Sequence, residues 1–316
     1  MRYDDFRRSD NIDDRRDDDG GGGGGFGGGG GGFGLPMGGG GLGIGTVIVL
    51  GLIGWAVGID PRVLIGGAEI LTGGQQAPTY QTDRRSAPAK TGAPTDEMGS
   101  MIAGVLGEID DRWSEIFQSS GQSYRGPRIV LFRNATNGGR CGMAQSAMGP
   151  FYCPPDKQIF LDTGFFREVE TRFRGCTGSA CKFTAAYIIA HEAGHHIQNL
   201  LGILDKARQM QERAGSKAEA NAIQVRVELQ ADCLSGVWVN RESKKRPGFL
   251  EEGDIDAALT TAAAIGDDTL QRKATGRVVP DSFTHGSAAQ RKRWFMTGYQ
   301  QGSVAACNTF APGVQL

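Results

Sequence analysis

The chain has 316 residues, with 34 Lys plus Arg against 35 Asp plus Glu and a net charge of -1. That balance offers no basic surface for a polyphosphate backbone, so no nucleic-acid partner is expected. The length allows one large domain or two ordinary ones, and 17 of the 51 glycines crowd between Gly20 and Gly41, leaving an ordinary globular composition elsewhere.

Residues 1–19 carry five Arg and eight Asp and few apolar side chains. Such a stretch buries too little surface to offset its ordering entropy, which predicts disorder. With the Gly tract behind it, residues 1–41 read as one disordered, acidic and Gly-rich segment. Leu42 to Ile59, LGIGTVIVLGLIGWAVGI, is an 18-residue run without a charge. A bilayer core takes about 20 such residues, so one transmembrane helix is expected over 42–60. The run starts too far from the N-terminus, and lacks the flanks, for a cleaved signal peptide. Residues 61–96, rich in Gly, Pro, Thr, Gln and Ser, read as a linker.

A folded domain is expected over 97–316. Met101, Val105, Leu106, Ile109, Trp113, Ile116 and Phe117 recur at helical spacing. Arg128–Phe132 and Gln158–Asp162 read as short strands, with a loop or hairpin from Gly139 to Pro155 between them. Helical patterns then cover roughly 165–173, 181–201, 205–213, 217–242, 251–265 and 286–300. A few strands followed by a run of helices predicts an α+β domain, mostly helical with a small β-sheet.

The six cysteines, 141, 153, 176, 181, 233 and 307, all lie C-terminal to the apolar run. An even count placed so predicts disulfides in an oxidising compartment. The expected pairs are Cys141 with Cys153, Cys176 with Cys181, and Cys233 with Cys307. This puts the N-terminus in the cytoplasm and residues 60–316 outside it.

Three of the four histidines are 191, 195 and 196, inside the helical pattern AYIIAHEAGHHIQNL. His191 and His195 are four apart, hence on one helix face with Cβ atoms about 5–6 Å apart, a separation at which two imidazoles share one zinc. Glu192 falls on the same rim, within reach of a water on the metal. Ala193 and Gly194 are small enough to keep that face open. His196 points about 100° away from His195 and is not expected to join. A catalytic zinc takes three protein ligands and an open position. The extended HExxHxxGxxH arrangement is excluded, because Gln198 and Leu201 stand where Gly and His are required. Glu228 and Asp232, again four apart in VELQADC within an apolar helix pattern, are the remaining candidates.

The E-x-x-A-D pattern resembles the gluzincin metallopeptidases, in which a glutamate on a following helix supplies the third ligand. By that resemblance Glu228 binds zinc, and Asp232 accepts a hydrogen bond from the distal nitrogen of a zinc histidine, His191. HEAGHHIQN, ELQADC, YCPPDKQIFLD and FTHGSAAQRKRWF together look like the bacterial family of putative neutral zinc metallopeptidases. The Gly-rich N-terminus and single apolar run are similar to that family too. The resemblance implies a zincin-like fold, Zn2+ as cofactor and a peptide or protein substrate. It also implies a single-pass protein of the bacterial inner membrane with its domain on the periplasmic side.

The expected chemistry is promoted-water hydrolysis, with His191, His195 and Glu228 on zinc and Glu192 as general base. His285, in FTHGS, is the candidate second donor to the oxyanion. Gly149–Tyr152 or Gln158–Asp162 is the candidate strand for pairing with an extended substrate. Arg291 and Arg293 read as solvated charges, or as receivers of a substrate carboxylate. The alternative is a non-catalytic, membrane-anchored interaction protein that retains a zinc-bound zincin fold. Glu192 argues against it, since such a protein has no use for a base between two ligands.

Overall fold

The computed structural model describes residues 1–17, 90–171 and 180–316. In chain order these form β1 (Ile12–Asp14), β2 (Lys90–Thr91), α1 (Glu97–Ser119), β3 (Arg128–Phe132), β4 (Ala135–Asn137), β5 (Met143–Gln145), β6 (Phe151–Cys153) and β7 (Gln158–Asp162). The helices α2 (Thr163–Thr171), α3 (Ala180–Leu200), α4 (Ile203–Glu212), α5 (Lys217–Lys245), α6 (Asp254–Ala264), α7 (Asp267–Thr275) and α8 (Ala288–Gln301) follow. The architecture is mixed α+β, mostly helical with small sheets.

The larger sheet has the order β2-β1-β3-β7-β6, parallel across β1, β3 and β7 and antiparallel at both edges. Strands β3 and β7 read as nearly continuous apolar runs because both faces are covered. Successive side chains point to opposite faces. Ile129, Leu131, Ile159 and Leu161 therefore join the helical core, while Val130, Phe132 and Phe160 pack with Ala144 and Cys153 on the far side. Cys153 is bonded to Cys141, which ties β6 to the turn before β5.

The helical layer is organised on α5, which packs against α3, α4 and α8. Ser216 starts α5 by accepting from the Glu219 amide, and a reciprocal Ser287–Gln290 cap starts α8. The α5–α8 crossing is close because each helix offers a glycine there. A Cβ on Gly298 would lie 1.8 Å from the Cys233 carbonyl oxygen, and one on Gly236 2.2 Å from that of Phe295. The Cys233–Cys307 disulfide fastens the C-terminal segment to the same stretch of α5. The third expected disulfide involves Cys176, outside the described residues.

The disorder expected for 1–41 does not hold for residues 1–17. Ile12–Asp14 is a strand inside the sheet, pairing with β3 on one side and β2 on the other. The few apolar residues are the anchors: Met1, Phe6 and Ile12 are all buried. The charges that argued for disorder are mostly partnered. Arg7 pairs with Asp111, Arg16 with Asp14 and Asp96, and Asp5 with Arg246. A composition average does not register three apolar residues placed at the right intervals, nor charges with partners about a hundred residues away. The expected membrane helix over 42–60, most of the linker and the Gly tract lie outside the described residues. No helix among the described residues is long and apolar enough to cross a membrane.

The strand predictions at 128–132 and 158–162 coincide with β3 and β7, and the long helices fall within a few residues of expectation. The expected 251–265 helix begins three residues later, at Asp254, and α7 was not anticipated.

A stability prediction follows from the contact between α1 and the N-terminal segment. A Cβ on Gly107 would lie 1.8 Å from the Arg7 carbonyl oxygen. Glycine to alanine inside a helix ordinarily gains about 1 kcal/mol. Here Gly107→Ala must push the segment off α1, and a net loss of about 1–3 kcal/mol is expected. The shift in urea midpoint of the full chain measures it, and the sign decides.

Candidate metal centre

Helix α3 is apolar on nearly all sides, as a helix enclosed by neighbours must be. Its polar residues His191, Glu192 and His195 face a cleft of about 960 Å³ that is also lined by Glu228, His285, Arg291, Phe151 and Tyr152. Contrary to the sequence expectation, Ala193 and Gly194 do not keep the ligand face open. Ala193 is fully buried, and a Cβ on Gly194 would sit 3.0 Å from the Ala231 carbonyl oxygen. The small pair lets α5 approach, and that approach delivers Glu228.

His191, His195 and Glu228 each offer one ligating atom within 4.8 Å of the others. Glu228 Oε2 lies 3.3 Å from His191 Nε2 and 3.5 Å from His195 Nε2. The distal ring nitrogens are both engaged. His191 Nδ1 is 2.8 Å from Asp232 Oδ1, and His195 Nδ1 is 2.8 Å from Gln198 Oε1. The Gln198 amide nitrogen donates to Val227 O and Gln230 Oε1, which leaves its oxygen to accept. Each imidazole thus donates at Nδ1 and points its Nε2 at Glu228, so that loss of the Nε2 proton frees a lone pair facing one common point. Two imidazoles deprotonated at Nε2 and one carboxylate, with the Nδ1 protons held from behind, form a donor set that fits zinc.

Asp232 is fully buried and collects three donors: His191, the Tyr187 hydroxyl at 2.7 Å, and Arg291. Arg291 reaches both carboxylate oxygens, Nε to Oδ2 at 2.8 Å and Nη2 to Oδ1 at 2.9 Å. Burial penalises the Asp232 charge, but the Arg291 guanidinium and His191 outweigh it and hold the carboxyl well below its ordinary range. Arg291 is therefore not the solvated charge expected from the sequence: it is buried on the α8 face with Trp294, Phe295 and Gly298. That spacing of three, four and seven residues was the available signal, since the partner lies 59 positions away. Arg293 is exposed and donates to the Gln315 carbonyl.

Glu192 is buried, which raises its pKa, while the charges of His191 and His195 lower it; burial prevails. A carboxylate with a raised pKa beside the ligand face is suited to taking up a proton. His285 lines the same cleft outside the three-residue cluster, with its side chain 47% exposed. Its loop is held from below by Asp267, whose Oδ2 accepts from the amides of Thr284, His285 and Gly286 at 2.7, 2.7 and 3.0 Å. Asp267 Oδ1 lies 3.4 Å from His285 Nδ1. Neither Asp267 nor Gln198 was singled out as a support in the sequence. Gln198 had a visible cue three residues past His195, whereas Asp267 had none. His196, set aside from the metal, is buried between Tyr152 and the Arg125 carbonyl, where burial lowers its pKa to about 4.

Burial disfavours charge on His191, but Asp232 and Glu228 overcome this and push its pKa up to about 10. A metal has to displace that proton. Zinc affinity is therefore expected to rise with pH between about 6 and about 8, near tenfold per unit for each proton released. Competition with a chromophoric chelator across that range measures the slope.

A family model described as "Putative neutral zinc metallopeptidase" matches residues 1–310. The uncharacterized protein YpfJ of Escherichia coli is 42% identical over 314 residues, covering 99% of this chain and 100% of its own length. The uncharacterized protein Mb2605 of Mycobacterium bovis is 39% identical over 264 residues, covering 81% of this chain and 84% of its own. No solved structure matches.

Proposed function

The chain belongs to this neutral zinc metallopeptidase family, and on that premise we propose that it is a zinc-dependent peptidase with a gluzincin-type site on a zincin-like fold. The observation that carries the reading is the convergence of His191, His195 and Glu228, with both distal imidazole nitrogens held and Glu192 beside them.

When bound, zinc polarises the scissile carbonyl and brings the pKa of its water to about 7. Glu192 takes a proton from the attacking water and delivers it to the leaving amine, so the proton count closes within one side chain. His285, across the cleft, donates to the oxygen on which negative charge develops. Its loop, hung on Asp267, sets the donor in place before reaction, which is where such stabilisation comes from. Asp232 and Arg291 orient His191 from behind.

Strand β6 supports a peptide rather than a small ester as substrate. It pairs with β7 on one side, and Phe151 and Tyr152 line the cleft. An extended segment added to its other edge would run past the metal face. The two described disulfides support an oxidising, extracytoplasmic location for the domain.

The test is a fluorogenic peptide library incubated with the zinc-loaded full chain. Cleavage that stops on chelation and returns with zinc is expected. A stoichiometric zinc protein that cleaves nothing in the library would favour the non-catalytic alternative.

A further inference from the structure

The apolar run Leu42–Ile59 and the placement of β1 make opposite demands on the chain. As a helix, 18 residues reach about 27 Å, once across a hydrocarbon core of about 30 Å. One crossing between residues 17 and 90 would leave β1 on one face of the membrane and the metal domain on the other. Yet β1 and β2 are adjacent strands, with Asp14 opposite Lys90 and Asp13 opposite Thr91. Paired strands lie about 4.8 Å apart. The chain therefore leaves the sheet and re-enters it side by side.

The docking of residues 1–17 is not superficial. β1 is an inner strand that also pairs with β3 over Ile12, Asp13 and Asp14, and Ile12 is wholly buried. The Ser9 amide donates to the Ala103 carbonyl, Ile129 to Asn11, and Arg15 to Leu131. Glu108, fully buried on α1, accepts from the Arg7 amide at 3.1 Å and from Arg246 at 2.8 Å. Without residues 5–9, that buried carboxylate loses a donor, which is costly in a low-dielectric site. Gly107, where any side chain would strike Arg7, is matched to this segment alone. The domain is built around its own N-terminus.

We propose that residues 1–17 and 90–316 lie on the same side of the membrane, so that the chain between them makes no net crossing. The cytoplasmic N-terminus and external domain expected from the sequence are then not simultaneously possible in the molecule that carries this sheet. The inference rests on strand pairing and chain length, and does not depend on the metal chemistry or the peptidase reading.

Single cysteines at exposed positions test it in the full chain expressed in Escherichia coli: Asp10→Cys and Arg8→Cys in the N-terminal segment, Lys244→Cys and Lys273→Cys in the domain. Each variant is treated with a membrane-impermeant maleimide on spheroplasts and again after lysis. Equal yields at all four positions in the same preparation, whether before lysis or only after it, are the expected result. Labelling of the domain pair before lysis with the N-terminal pair protected until lysis, or the reverse, overturns the proposal. Two positions per segment keep the test decisive if one variant fails to fold.

Discussion

Glu192→Gln is expected to keep zinc at wild-type affinity and to lose hydrolysis by about 10²–10⁴-fold, the usual contribution of a positioned acid or base. Glutamine matches the shape of Glu192 but cannot take up the water's proton. Glu192 is not one of the three converging ligand atoms, so its exchange leaves the donor set intact. Two readouts on one variant separate the roles: zinc affinity by chelator competition, and initial rates on the fluorogenic peptides. If the variant cleaves as fast as the wild type, Glu192 is not the base. If it loses zinc as well, the side chain is part of the metal site and the division of roles fails.

The second large effect lies behind the metal face. Arg291→Leu strips Asp232 of its bidentate partner and leaves a buried carboxylate facing only His191 and Tyr187. Removing one member of a buried pair costs about 3–5 kcal/mol of stability, and loss of such outer support costs about 10–100-fold in metal affinity. Because the Asp232 pKa is depressed, its stabilising contribution is present above its unfolded value of 3.8 and is lost as pH falls through the folded value. At neutral pH the full cost of Arg291→Leu is therefore exposed. Arg291→Lys keeps the charge but loses the fork, and an intermediate result is expected. Replacing both Arg291 and Asp232 by leucine should recover stability, since a packed apolar pair often equals a buried ion pair. It should not recover zinc affinity, because the double variant also takes away the Nδ1 acceptor of His191. That split distinguishes a positioning role from a merely structural one. Urea midpoints and chelator competition on the four proteins give the two readouts.

What could be read in advance follows from how local each signal is. His191, Glu192 and His195 are fixed by one helical turn, and Glu228 with Asp232 by another, so their types and spacing were visible in a single line of sequence. β3 and β7 were visible because buried parallel strands leave unbroken apolar runs. The supports of the site were less legible. Arg291 meets Asp232 across 59 positions, through a helix crossing that depends on Gly236 and Gly298. Asp267 acts through three backbone amides, which carry no sequence signature. The N-terminal strand was misread because its composition resembles a solvated tail. Ile12 becomes a core residue only when β3 lies beside it.

His191, His195 and Glu228 are proposed to hold one zinc. Zinc-edge X-ray absorption on the full chain, loaded to one equivalent, reads that donor set. Two imidazole nitrogens at about 2.0–2.1 Å and a carboxylate oxygen at about 2.0–2.2 Å are predicted, with no sulfur in the shell. In Glu228→Leu the one-equivalent binding should be lost. A sulfur shell at about 2.3 Å, or an unchanged zinc environment in Glu228→Leu, would place the metal elsewhere.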